Sequence, residues 1–175
     1  LKKLLDKSRV LDFIRKEHTV AVKMHFGEDG NTGFVAPEYA AVIAKNIIDK
    51  GAVAFLSDTN TLYKGRRKDS GEHAKLAREH GFTKEATGLD IFIPDEKNER
   101  DVIDIEINEK VIKTARLARF FIDADAIVAI NHFKGHILTG FGGTLKNPGM
   151  GCATREGKPV QHCHVSPVVD KDDCI

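Results

Sequence analysis

The chain has no tryptophan and only two tyrosines among its 175 residues. So few polar rings argue against a surface built to stack nucleic-acid bases. An excess of one charge is missing as well. The 27 Lys and Arg stand against 26 Asp and Glu, a net charge of +1. That excludes the strong field that draws proteins to nucleic acid or to anionic membranes. No apolar run approaches the ~20 residues of a membrane-spanning helix, and no secretory signal is visible. The three cysteines, Cys152, Cys163 and Cys174, lie near the C-terminus and are odd in number, a poor disulfide framework. The expectation is a reducing, cytoplasmic setting. The sequence opens on Leu1 and stops one residue after Cys174, and both ends read as cut from a longer protein.

What remains is ordinary for a globular protein: 41% hydrophobic and 30% charged residues, enough for one domain with a real core over residues 1–175. Leu1, Leu4, Leu5, Leu11 and Ile14 form a helical stripe. "TVAVKMHF" (Thr19–Phe26) alternates and is β-branched, predicting a strand that ends at His25. Pro37 opens a helix with apolar positions Ala40, Ile43, Ala44, Ile47 and Ile48, closed by Gly51. "AVAFLSD" (Ala52–Asp58) is a buried-type strand. Asp69 or Ser70 caps a helix that runs to His80. Ile91–Ile93 is a short strand, residues 102–114 a β-hairpin, Arg116–Asp123 a short helix and Ala126–Ile130 a fully apolar strand. This alternation predicts a three-layer α/β domain, a mainly parallel sheet with helices on both faces.

Ligands in such folds sit beyond the carboxyl ends of the strands. Three polar clusters lie there: His25 with the glycine loop "GEDGNTG", Asp58 with "TNT", and "NHFKGHILTGFGGTLKNPGMGC" (Asn131–Cys152). His132 and His136 share a face whether the segment is extended or helical, as a shared metal requires. The alternative is two exposed loop histidines. The run around Gly140, Gly142 and Gly143 is neither a Walker loop nor a dinucleotide fingerprint. Serial glycines still bring backbone N–H groups close to an anion, and a helix starting near Gly142 would add its positive end. Lys146 then supplies either charge or, with a lowered pKa, a nucleophilic amine; otherwise the stretch is a tight turn. His25 is a ligand, a base or a structural group. Asp58 binds a metal, orients a histidine or caps its loop. "QHCH" gathers His162, Cys163 and His164, residue types that suit zinc in a spacing that matches no standard finger.

The segments "VKMHFGEDGNTGFVAPEY", "SDTNTLYKGRR" and "INHFKGHILTGFGGTLKNPGMGCATREGK" resemble the uncharacterised iron–sulfur-centre proteins, a domain-of-unknown-function family. The resemblance covers nearly the whole chain and brings no substrate. Members of that family continue from a "VDxxxCIGCGxC" segment into a ferredoxin-like module with two four-iron clusters. Here "VDKDDCI" makes Cys174 the first ligand of such a cluster. A Cys-x2-Cys-x2-Cys run is needed to hold one, so no intact 4Fe-4S cluster is expected in these residues.

A more distant resemblance is to the N-terminal domain of the nickel-dependent lactate racemases. Their signature is a histidine, an Ala-Gly-Phe-Ser-Gly-Gly-like turn, a lysine and a Pro-Gly. His136, "TGFGGT", Lys146 and "NPG" follow that order, with His162 where a later histidine belongs, while the "DDxTRP" segment is missing. The resemblance implies a catalytic set of Lys146, His136 and His162. Lys134, Gly140, Gly142, Gly143 and Asn147 are expected to hold a cofactor, and His25, His132 and Asp58 a divalent metal, nickel or zinc. The expected partners are a small anionic molecule and the protein's own ferredoxin-like module, not nucleic acid or membrane. The two functional readings are a redox-linked enzyme domain and a non-catalytic electron-transfer scaffold that docks that module.

Overall fold

The computed structural model describes residues 1–137 and 139–162, with His162 described by its backbone alone. Cys163, His164 and Cys174 lie outside the described residues. Helix α1 (Lys2–Ser8) is shorter than the stripe from Leu1 to Ile14 predicts. Arg9 adopts a left-handed conformation (φ 57°) and donates its N–H to the Leu5 carbonyl, ending the helix. Leu11 and Ile14 then reach the core from the turns that follow, while no residue of α1 is buried.

A parallel sheet forms the centre. It contains β1 (Thr19–Lys23), β2 (Val53–Ser57), β3 (Ile91–Phe92) and, beyond a hairpin of β4 (Val102–Glu106) and β5 (Thr114–Ala118), β6 (Ala126–Ala129). The spatial order is β3-β2-β1-β6, and every pairing is parallel. Helix α2 (Pro37–Ile48) links β1 to β2. Helices α3 (Ser70–Glu79) and α4 (Lys84–Thr87) lie between β2 and β3. Asp69 caps α3 by accepting the N–H groups of Gly71 and Glu72.

The side-chain period of two divides β1 between the faces of the sheet. Val20 and Val22 pack in the main core with Ile43, Ala44 and Ile47 of α2 and Ala77 of α3. Ala21 belongs to a smaller core on the other face, with Ala118 and with Phe121 of α5 (Arg119–Asp123). Helices therefore cover both faces, as the alternation predicted. No described helix is long and apolar enough to cross a membrane.

Two local expectations need correction. Arg116–Ala118 is strand, not helix. Thr114–Ala118 pairs with Val102–Glu106, and Arg116 lies opposite Asp104, to which it donates a 2.9 Å hydrogen bond. The opposite-charge cross-strand pair holds the segment extended. The glycine-rich stretch, read as an anion-binding run or a tight turn, is a hairpin of β7 (Lys134–His136) and β8 (Gly140–Gly142), with Lys134 opposite Gly142 and His136 opposite Gly140. The helix after it, α6 (Lys146–Gly151), starts at Lys146 and not near Gly142. Glycines carry no side chain to reveal a strand's alternation, which is why the hairpin was hidden. A further helix, α7, covers Lys158–His162.

Candidate functional site

From β1 the chain moves outward through β2 to β3 and then returns to the far side of β1 as β6. The strand order reverses between β1 and β6, and a crevice opens at such a point beyond the carboxyl ends. Here it is a cavity of about 600 Å³. Of the residues expected to bind or act, His25, Asp58, His132, Lys134, His136, Gly142, Gly143, Lys146 and Asn147 all line it. Gly140 does not, because it sits at the turn end of β8 (φ 74°). His162 ends α7, and its side chain is outside the described set.

The inner wall is a charge network that the sequence reading missed. Lys23 ends β1 on the same face as Ala21 and is almost wholly buried. Its ammonium meets Asp58 Oδ1 at 2.9 Å and donates to Asn147 Oδ1 at 2.6 Å. Asp58 follows β2 directly. Its Oδ2 accepts from Arg67 at 2.8 Å, and its Oδ1 also accepts the Thr59 N–H. Burial alone would raise the Asp58 carboxyl. Lys23 and Arg67 outweigh that and hold it well below the usual carboxylate range.

Arg67 is itself buried and ties several side chains together. It donates to Asp58, to Glu28, to the Tyr63 hydroxyl (3.2 Å) and through Nε to His73 Nε2 (3.2 Å). Burial pushes His73 down to about 3; Asp58 opposes the shift and the neighbouring cations add to it. His73 is thus neutral, with the proton on Nδ1 facing Asn60 Oδ1. Burial also raises the Glu28 carboxyl, but hydrogen bonds from His25 and Tyr63 and the Arg67 charge bring it down to about 2. Tyr63 is pushed up to about 12 by burial and by Glu28.

A second buried amine comes from α7. Lys158 Nζ donates to Thr59 Oγ1 (2.6 Å) and to the carbonyls of Asn60 and Ala153 (2.7 Å each). No carboxylate pairs with it among the described residues. Burial pushes Lys158 down to about 8, against the pull of Asp58 and Glu96.

Two of the expected ligands are engaged by the protein itself. Both oxygens of Asp58 are held by cations, which is not the environment of a metal ligand. His25 Nδ1 accepts the Gly27 N–H at 2.9 Å, and its Nε2 lies 2.8 Å from Arg67 Nη1 and 3.5 Å from Glu28. Among the described residues no three His, Cys, Asp or Glu side chains group as a metal ion requires. The donor set read from the sequence therefore does not fit nickel or zinc. Asn147 was expected to touch a cofactor. Its amide instead joins α6 to the strand ends, accepting from Lys23 and donating to the Ile130 carbonyl and to Asn131 Oδ1.

The outer wall is different. Lys134 of β7 and Lys146 of α6 flank Gly142. A Cβ placed on that glycine would lie 3.7 Å from Lys146 Cδ and 3.9 Å from Lys134 Cγ. Neither amine has a hydrogen-bond or carboxylate partner among the described residues. Burial, with the like charge of Lys134 second, lowers the Lys146 amine below its ordinary value. His132 Nδ1 lies 3.1 Å from the Gly33 carbonyl, and His136 Nδ1 accepts the Thr139 N–H at 3.2 Å.

A family model described as a domain of unknown function (DUF362) matches residues 20–170. The chain belongs to that family. No curated protein and no solved structure matches it. The match begins inside β1 and takes in every side chain of this DUF362 cavity.

Of the three cations the sequence reading passed over, only Lys23 left a signal. A lysine at the fifth position of "TVAVK" stands where strand parity and flanking apolar residues call for burial. Arg67 cannot be told from Arg66 in "GRRKD", yet Arg66 bonds Glu79 at the surface while Arg67 is buried. Lys158 in "REGKPVQ" carries no signal at all.

Proposed function

We propose that this DUF362 domain binds a small organic anion in the cavity between the ends of β1 and β6 and acts on it, as the substrate-handling part of a redox-linked enzyme. One observation carries the reading: five cationic side chains line the cavity, Lys23, Arg67, Lys134, Lys146 and Lys158, against the two carboxylates Glu28 and Asp58. A chain with a net charge of +1 concentrates its positive charge there. Lys23, Arg67 and Lys158 have their N–H groups committed to the protein, so direct contacts with the anion fall to Lys134 and Lys146. Lys146, with its lowered pKa, and His136 are the groups placed to move a proton on the bound molecule; His162 is a further candidate. The redox link rests on the sequence alone, on Cys174 within "VDKDDCI" and its resemblance to a first cluster ligand.

Isothermal titration with a panel of small carboxylates and phosphates tests the reading. Binding should weaken in Lys134→Gln and in Lys146→Gln, and Lys146→Arg should keep part of it if charge is what matters. Affinities indifferent to all three substitutions would remove the proposal. Iron analysis of the natural protein purified without oxygen tests the redox link separately.

A second reading draws on the rim. Phe133, Ile137, Phe141 and Leu145 are 74%, 97%, 59% and 88% exposed, and the Phe133 and Phe141 rings lie 5.7 Å apart. Such an apolar patch suits a docked partner, and the non-catalytic scaffold, with a ferredoxin-like module seated on the β7–β8 hairpin, would use it. Phe141→Ser with Leu145→Ser would then abolish that association while leaving anion binding unchanged.

A further inference from the structure

Resting on the anion-binding reading, we infer that the ligand is the phosphate monoester of an organic alcohol, its phosphate seated between Lys134 and Lys146 and its apolar body directed into the cavity. The first argument is charge. The stems of the two lysines both pass beside Gly142, their ammonium groups repel one another, and no carboxylate among the described residues neutralises either. A monocarboxylate would leave one of them uncompensated. A phosphate monoester carries about −1.5 to −2 at neutral pH and three acceptor oxygens, which matches two ammonium groups in charge and in donors.

The second argument is space. The cavity of about 600 Å³ is some twenty times the ~30 Å³ that one water occupies in the liquid, far more than an inorganic anion fills. The third is the lining. Beside the charged groups stand Phe34, Val35, Leu62 and Met150, surface that an inorganic ion leaves wet and an organic body covers. The inner cations cannot take the phosphate, since Asp58, Glu28, Asn147 and backbone carbonyls already receive their protons.

Titration calorimetry at about pH 8, roughly two units above the second ester pKa, separates the possibilities with four probes. These are phenyl phosphate, phenyl sulfate, benzoate and inorganic phosphate. Phenyl sulfate has the shape of the phosphate ester with one charge fewer. The expected result is phenyl phosphate at least about tenfold (~1.4 kcal/mol) tighter than phenyl sulfate and benzoate, and at least about tenfold tighter than inorganic phosphate. Lys134→Gln and Lys146→Gln, with melting temperature unchanged, should each erase most of the preference for phosphate over sulfate. Equal affinities for phenyl phosphate, phenyl sulfate and benzoate, all still dependent on the lysines, would overturn the phosphate and leave the anion-binding reading standing. Inorganic phosphate binding as tightly as phenyl phosphate would overturn the organic body. No saturable binding of any probe at millimolar concentration, or binding indifferent to both lysines, would defeat both proposals.

Discussion

Replacing Asp58 by Asn should cost more stability than most single substitutions in this protein, because it removes a carboxylate shared by two buried cations. Asp58 is 2% exposed, Lys23 1% and Arg67 4%. The carboxylate meets Lys23 at 2.9 Å and Arg67 at 2.8 Å, and it accepts the Thr59 N–H. Asparagine fits the space but offers one acceptor oxygen instead of two, and its amide N–H groups face donors. Breaking a buried ion pair from one side costs about 3–5 kcal/mol, since the partner charge stays buried without compensation. For a protein of this length each kcal/mol lowers Tm by about 2–4 °C, so the expected loss is roughly 6–20 °C. Urea unfolding followed by circular dichroism reads the same quantity as a fall in midpoint at constant m.

The pH dependence adds a second readout. The folded pKa of Asp58 is depressed, so its contribution is complete above the unfolded value of about 3.9. It is lost only as pH falls from there toward the folded value. The gap between wild type and Asp58→Asn should therefore be flat at neutral pH and shrink only in acid. A loss under about 1 kcal/mol would refute the reasoning, since it would class the network with solvent-screened surface pairs.

Three further outcomes follow from the same geometry. Gly151→Ala places a Cβ 2.4 Å from Lys23 Cε and Nζ. Because that side chain is pinned by Asp58 and Asn147, a loss of about 1–3 kcal/mol is expected, measured by urea unfolding; an unchanged midpoint would mean Lys23 can move. The Lys158 pKa is pushed from 10.5 down to about 8, so burial of its ammonium weakens the fold below about pH 8, and the penalty is relieved as pH rises toward 10.5. Wild type should gain up to ~3 kcal/mol on Lys158→Met across that interval, and parallel stability curves would contradict the shift. Finally, Lys134→Gln should slow acylation of Lys146 at fixed pH, because removing the like charge raises the amine's pKa. Mass spectrometry after limited labelling measures it, and an unchanged or faster rate would argue against the pairing of the two lysines.

The elements that form the central sheet were readable because each carries its own local signal. "TVAVK" and "AFLS" are β-branched or apolar over strand length, Pro37 opens α2, and Asp69 caps α3. The first helix and the segment at Arg116 were misread for a shared reason: apolar spacing says which residues face the core, not whether the backbone between them stays helical. Leu11 and Ile14 are buried as their spacing implies, but they hang from turns after Arg9. Arg116 is extended because Asp104 lies across the strand pair, a partner twelve residues away.

The sequence by itself determined the α/β alternation and, through it, the side of the sheet on which His25, Asp58, His132, His136 and Lys146 would meet, since strand ends and their loops follow from chain order. Only the tertiary structure decided which of those side chains remain available to a ligand. Whether a lysine or an aspartate faces solvent, a substrate or another charge depends on partners far away in the chain. Asp58 lies between Lys23 and Arg67, Lys23 touches Asn147 across 124 residues, and Lys158 closes on Thr59 across 99. Long-range pairing turned the expected metal ligand Asp58 into the anchor of a buried ion network, and among the five cations that line the cavity it left Lys134 and Lys146 without a partner among the described residues.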